Sequence, residues 1–236
     1  MSGAGRALDH VVLAGPDLAA AAARYEALGF TLTPQAWHDD RMGTTNRLAQ
    51  FPGRTFVELL EVDRPAGLME HGAGAFGFGA WNRDYVAVRE GVSMIVFRTE
   101  NARDDIARWR ALGIDTYDPF DFERQAATPE GDTVTVGFSL GFATSPEMPE
   151  LAVFACEQRA PEHFWKPAYQ EHPNGARDLA GVVLVADDPA RTAAFFGRLF
   201  GGAVEPVDGG ASVACGQHRI EVLTPEATRA RDPGWN

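Results

Sequence analysis

The stretch LDHVVLAGPDLAAAAARYEALGF, residues 8–30, reads as a strand, a turn and a helix in immediate succession. Leu8, Val11, Val12 and Leu13 make a short apolar run, Pro16-Asp17 marks a turn, and the alanine-rich segment favours helix. Gly29 stands where a helix ends in a left-handed residue. The pattern returns in GVSMIVFRTENARDDIARWRALGI, residues 91–114, with Gly113 as the stop. It returns again in LAGVVLVADDPARTAAFFGRLFGG, residues 179–202, with Gly201 as the stop. The spacing is roughly eighty-five residues, too long for most solenoid repeats.

Each copy continues with three strand-like segments. In the first they are FTLTPQAWH (30–38), NRLAQFPG (46–53) and TFVELLEV (55–62). In the second they are DTYDPFDFERQ (115–125), VTVGFSLGFA (134–143) and LAVFACEQ (151–158). In the third they are GAVEPVDG (202–209), ASVACG (211–216) and HRIEVLTP (218–225). Period-two alternation bounded by Pro and Gly supports strands. The prediction is an α+β fold of repeated βαβββ units whose paired, curved mixed sheets enclose a cavity. One face of each sheet is covered by its helix, so the other must find an apolar surface. Residues 6–158 are expected to hold two paired units, 159–177 a Pro- and aromatic-rich connector, and 178–236 a third unit. The stretch at residues 67–91, rich in Gly and aromatics, also reads as a connector, without a helical pattern or a phosphate-binding loop. Trp81, Phe164, Trp165 and Tyr169 in the two connectors either cap a cavity or pack the connectors onto the sheet.

Composition narrows the function. A formal charge of −12 argues against nucleic acid and against an anionic membrane surface. No apolar run reaches membrane-spanning length, and the N-terminal residues lack a secretory signal, so a cytoplasmic location is expected. Cys156 and Cys215 suggest two buried thiols, not a disulfide framework or a metal cluster. A small molecule is the remaining class of partner.

The phrases LDHVV (8–12), FVELLEV (56–62), GTTNRLAQF (43–51) and YQEHPNGA (169–176) carry a resemblance. The chain resembles the glyoxalase/bleomycin-resistance/extradiol-dioxygenase group, the vicinal oxygen chelate superfamily, and within it the bacterial glyoxalase-like domain proteins. The resemblance implies a glyoxalase/dioxygenase-type fold with metal ligands on the first and fourth strands of a unit. Those positions are His10 and Glu58. Together they imply a divalent ion (Zn, Fe, Ni, Co or Mn) that chelates neighbouring substrate oxygens, with Glu58 doubling as general base. The matching positions of the second unit are Ser93 and Phe154, which are not firm ligands. Glu221, His172 or His218 is left to complete the set, or a partner subunit, or else no tight metal binds. The third unit lacks a mate within the chain, which points to a homodimer.

Each candidate has a plain alternative. His10 is a ligand or a hydrogen-bonded core histidine. Glu58 shares a strand face with Phe56 and Leu60, a mixture that suits a cavity wall better than solvent. Glu221 has Arg219 as a simple ion-pair partner. His38 and Asn46, in HDDRMGTTN (38–46), and His172, in the second connector, are candidates for substrate binding. Two functions result. One is a metal-dependent glyoxalase-like enzyme, of lyase/isomerase or dioxygenase type, acting on a small carbonyl or vicinal-oxygen compound. The other is a non-catalytic protein that sequesters a small molecule, as the bleomycin-resistance branch does.

Overall fold

In the computed structural model, residues 5–72, 74–127, 131–146 and 148–235 are described. The chain runs β1 (Leu8–Ala14), α1 (Leu18–Ala27), β2 (Ala36–Trp37), β3 (Thr45–Gln50), β4 (Phe56–Glu61), α2 (Phe78–Val86) and β5 (Gly91–Thr99). It continues through α3 (Ala102–Ala111), β6 (Asp115–Thr116), β7 (Phe120–Ala127), β8 (Thr133–Thr144), β9 (Ala152–Gln158) and α4 (Pro161–Phe164). After a single 3-10 turn at Pro167–Tyr169 come β10 (Gly181–Val185), α5 (Pro189–Phe200), β11 (Val204–Val207), β12 (Gly210–Cys215), β13 (His218–Leu223) and α6 (Pro225–Arg231). Two compact units result. One is residues 9–178; the other is residue 179 onward together with the N-terminal residues up to Leu8. Among the described residues, no helix is long and apolar enough to cross a membrane.

The larger unit is one curled sheet in the order β2-β3-β4-β1-β5-β9-β8-β6, with β7 paired to β8. Strands β1 and β4 run parallel, as do β5 and β9, and the hairpins between are antiparallel. The two halves repeat each other down to single hydrogen bonds. Asp17 and Asn101 cap the N-termini of α1 and α3 with their side chains. The Glu61 carboxylate, at the end of β4, accepts from the Leu18 N–H at 2.9 Å. The Glu157 carboxylate of β9 accepts from the Ala102 N–H at 3.1 Å. An anion at each helix start satisfies an otherwise unpaired donor and suits the helix dipole.

Residues of both halves share one buried apolar cluster. Phe76, from the stretch between the halves, stacks on Phe142 with centroids 4.2 Å apart, and Phe142 meets Phe154 at 5.0 Å. The smaller unit is a four-stranded sheet, β10-β13-β12-β11, with α5 on one face. Val213, Ile220 and Val222 are buried against Phe196 and Leu199, while Val183 and Val185 of β10 are exposed.

Two expectations are corrected. The first long strand-like segment, residues 30–38, forms only the two-residue β2, because Pro34 interrupts it and Thr33 instead accepts from Arg47 through its carbonyl. The glycine-rich stretch at 67–91 is not a plain connector: it contains helix α2. Its glycines serve close packing. A Cβ on Gly79 would overlap the Met42 carbonyl oxygen, in the loop that leads to Thr44 and Asn46. Gly79→Ala would raise intrinsic helix propensity by about 1 kcal/mol. The expected outcome is nevertheless a loss of about 1–3 kcal/mol, because the backbone contact must open. Urea unfolding of the variant checks the sign.

Candidate functional site

Period-two geometry brings a small set of side chains to one concave face. On β1 and β4, His10 lies opposite Phe56, and Glu58 follows two residues on. The His10 ring stacks on Phe56 with centroids 4.1 Å apart and an interplanar angle of 15°. Asn46 and Leu48 come from β3, and His38 from the residue just after β2. The second half supplies Phe122 and Arg124 of β7, Phe138 and Leu140 of β8, and Phe154 and Cys156 of β9. Phe78 of α2 and Phe164 of α4 close the ends. The enclosed cavity is about 40 Å³, room for the end of a small molecule. Leu48, Arg124 and Phe164 also line an outer cleft of about 340 Å³, with Gln35, Trp37, Gln50, His163, Lys166 and Tyr169.

The polar groups of the cavity form one cluster around Glu58. Asn46 Nδ2 donates to Glu58 Oε1 at 2.6 Å and lies 3.2 Å from His38 Nε2. In this orientation the two N–H groups of the Asn46 amide serve Glu58 and His38 together. Asn46 Oδ1 is then buried with no hydrogen-bond partner. His38 Nδ1 lies 2.8 Å from Thr44 Oγ1 and donates to it, leaving Nε2 as the acceptor for Asn46. His10 Nδ1 donates to Asp9 Oδ1 at 2.7 Å. Asp9 is in turn held by Gln158 Nε2 at 3.1 Å and faces Arg98 at 3.5 Å. His10 Nε2 stands 3.6 Å from Glu58 Oε2, and His38 Nε2 stands 3.6 Å from Oε1. Neither span is a hydrogen bond.

Burial sets the charge states. It pushes the Glu58 carboxyl above the usual carboxylate range, against the opposing pull of His10, the Asn46 hydrogen bond and Arg124. It lowers His38 to about 3, helped by the positive charge of Arg124. Burial, with Asp9 and Glu58 nearby, raises the Cys156 thiol well above its ordinary value. The cavity therefore holds a neutral imidazole at His38, a protonated thiol, and a carboxyl whose proton affinity is raised by burial.

The divalent metal implied by the resemblance can be tested on these donors. His10 Nε2 and His38 Nε2 each stand 3.6 Å from a different oxygen of Glu58. Cys156 is no thiolate, and most of the remaining wall is Phe, Leu and Met. Among the described residues, no three His, Cys, Asp or Glu side chains are grouped to hold a metal ion. Arg124 adds positive charge beside Glu58. The residues present do not fit a three-ligand centre.

The other candidates lie elsewhere. His172 accepts from the Thr31 N–H at 3.0 Å through Nδ1 and donates to the Gln50 carbonyl at 2.7 Å through Nε2. Its ring packs between Phe30 and Phe51, away from the cavity. With Asn174, which donates to the Leu28 carbonyl, it latches the connector onto the end of α1. Glu221 is paired with Arg219 and Arg231 in the smaller unit, which also contains the buried His218. Sequence reasoning missed Arg124 and its phenylalanine neighbours. The alternation Phe120, Phe122, Arg124 in DPFDFERQ, residues 118–125, was the available signal.

With this geometry in place, comparison with known proteins is informative. The family model described as a glyoxalase-like domain matches residues 8–200. The chain belongs to that family. It is thereby a member of the vicinal oxygen chelate superfamily, with the fold the repeats imply. A solved Staphylococcus aureus protein described as hypothetical is similar, with a TM-score of 0.69 and 15% identity over 93% of this chain and 86% of the other. Methylmalonyl-CoA epimerase from Mycobacterium tuberculosis has a TM-score of 0.47 and 17% identity over 67% of this chain and 92% of its own. A hypothetical protein from Bacillus halodurans has a TM-score of 0.45 and 15% identity over 63% of this chain and 91% of its own. At these identities the first likeness is one of fold. No curated protein matches the chain significantly.

The state of His38 has a measurable consequence. An unfolded chain protonates His38 as pH falls below 6.5, whereas the folded chain keeps it neutral down to about 3. Folding therefore loses stability across that window as pH falls, by up to about 1.4 kcal/mol per pH unit from this group. The stability advantage of the wild type over His38→Gln should be greatest above pH 6.5 and shrink on acidification. Urea unfolding at pH 7.5, 5.5 and 4.5 measures it, and a constant difference would mean that His38 is not held neutral.

Proposed function

We propose that the larger unit is a proton-transfer enzyme, acting on a carbon next to a carbonyl group in a small molecule. The observation that carries this reading is Glu58: a carboxyl 4% exposed, among phenylalanines, whose burial raises its proton affinity toward the working pH of a general base. Asn46 fixes Oε1, so Oε2 is the oxygen left to act. In the step, the C–H bond breaks and its proton passes to Glu58 Oε2. The bonding pair moves to the carbonyl oxygen, giving an enolate. Arg124 supplies positive charge to the same space, where it would stabilise the enolate oxygen, and His10 Nε2 lies 3.6 Å from Glu58 Oε2, beside the reacting carbon. Asp9 holds the His10 ring in register from behind, and Asn46 Oδ1 is free to accept from a substrate hydroxyl. Return of the proton to the same or a neighbouring carbon makes the reaction an isomerisation.

A second reading has its own support. The apolar lining from Phe56, Phe78, Phe122, Phe138, Phe154 and Phe164 suits a protein that sequesters its ligand without changing it.

Solvent exchange separates the two. Small carbonyl compounds incubated with the protein in D2O, followed by NMR, should incorporate deuterium at the carbon beside the carbonyl. Glu58→Gln should lower that rate at least about 100-fold with the fold intact. Exchange that survives in Glu58→Gln refutes the assignment, and ligand binding without exchange favours sequestration. Elemental analysis of unchelated protein accompanies the test. Less than one equivalent of metal and chelator-resistant exchange are expected. A stoichiometric ion lost in both His10→Ala and Glu58→Gln would replace this mechanism with a metal-assisted one.

A further inference from the structure

Arg124 is the unexplained group of the larger unit. It projects from β7 into the boundary between the cavity and the cleft and lines both. Its Nε is fully shielded and, among the described residues, has no hydrogen-bond partner. Among the described residues no salt bridge reaches it, although acidic residues outnumber basic ones by 33 to 21 in this chain. Surface arginines are paired: Arg83 with Glu70, Arg103 with Asp121. Arg124 is half-buried with its Nε shielded from water, and a guanidinium in such a place favours an anionic partner. Burial lowers its proton affinity accordingly. Glu58 does not discharge it, since no salt bridge joins the two and burial favours the protonated carboxyl.

The cleft repeats the same bias. None of the described residues lining it is acidic, and Lys166, the only lysine of the chain, faces it with His163. A net charge of −12 makes such a patch conspicuous. The two volumes then divide a ligand. About 40 Å³ admits a reacting end, about 340 Å³ holds a body, and Arg124 stands where they join.

We propose that Arg124 anchors a carboxylate of the ligand, so that the site selects small carboxylic acids with an apolar body. A planar guanidinium fork matches a carboxylate with two parallel hydrogen bonds, which a neutral amide or alcohol cannot match. The proposal rests on the reading of Glu58 only for which end of the ligand points inward. Selection at Arg124 stands or falls separately.

The test uses the full chain and calorimetric titration with acetate, propionate, benzoate and phenylacetate, each beside its neutral amide. At least one carboxylate should bind ten-fold or more tightly than its amide. Arg124→Met should abolish that preference while the unliganded variant remains folded. Arg124→Lys keeps the charge without the fork and should retain a reduced preference, which covers the case in which Arg124→Met fails to fold. Equal binding of acid and amide, no binding of any acid, or undiminished binding by Arg124→Met would each overturn the proposal.

Discussion

A carboxyl group that water cannot reach must keep its proton, find a cation or be held by hydrogen bonds. Glu58 meets that constraint with one strong hydrogen bond from Asn46 and two imidazoles just beyond hydrogen-bond length. The surrounding architecture follows from it. Asn46 is held by β3 pairing, and His38 by Thr44. The loop between them is backed by α2, whose Gly79 lets the Met42 backbone come close. His10 is held by Asp9, and Asp9 by Gln158 from the far end of β9. Immobilised partners keep the carboxyl out of bulk water, and burial raises its proton affinity.

The pH behaviour of the two central groups runs in opposite directions. Burial raises Glu58, so folding loses stability as pH climbs from its unfolded value through the raised folded one. Burial lowers His38, so folding loses stability as pH falls from 6.5 toward about 3. The site strains the fold on both sides, a cost expected where reactivity has been put ahead of stability.

Much of the fold was legible in residues 8–30 and their two echoes, because a strand, a capped turn and a glycine-ended helix each have local chemical signatures. Helix α2 escaped, because its glycines serve contacts with Met42 and Met69 that no local pattern reveals. In the site, His10 and Glu58 stood out as polar residues in apolar strands, and Asn46 through the phrase that carries it. His172 lies away from the cavity, and only three-dimensional structure shows both its ring nitrogens engaged by backbone groups. Arg124 was hidden by its neighbours Glu123 and Gln125, which make an inward arginine look like part of a solvated strand.

The matching helix-start carboxylates, Glu61 and Glu157, show two halves kept alike where they hold the scaffold. Inside the cavity the halves have diverged. The first carries nearly all the acid–base groups, and the second a wall of Phe122, Phe138, Leu140 and Phe154 around Arg124. Duplication has separated two jobs that a single unit would have to combine. One half can be reshaped to fit a new molecule while the other keeps its chemistry, so a repertoire of specificities is open to this architecture through changes in β7, β8 and β9 alone.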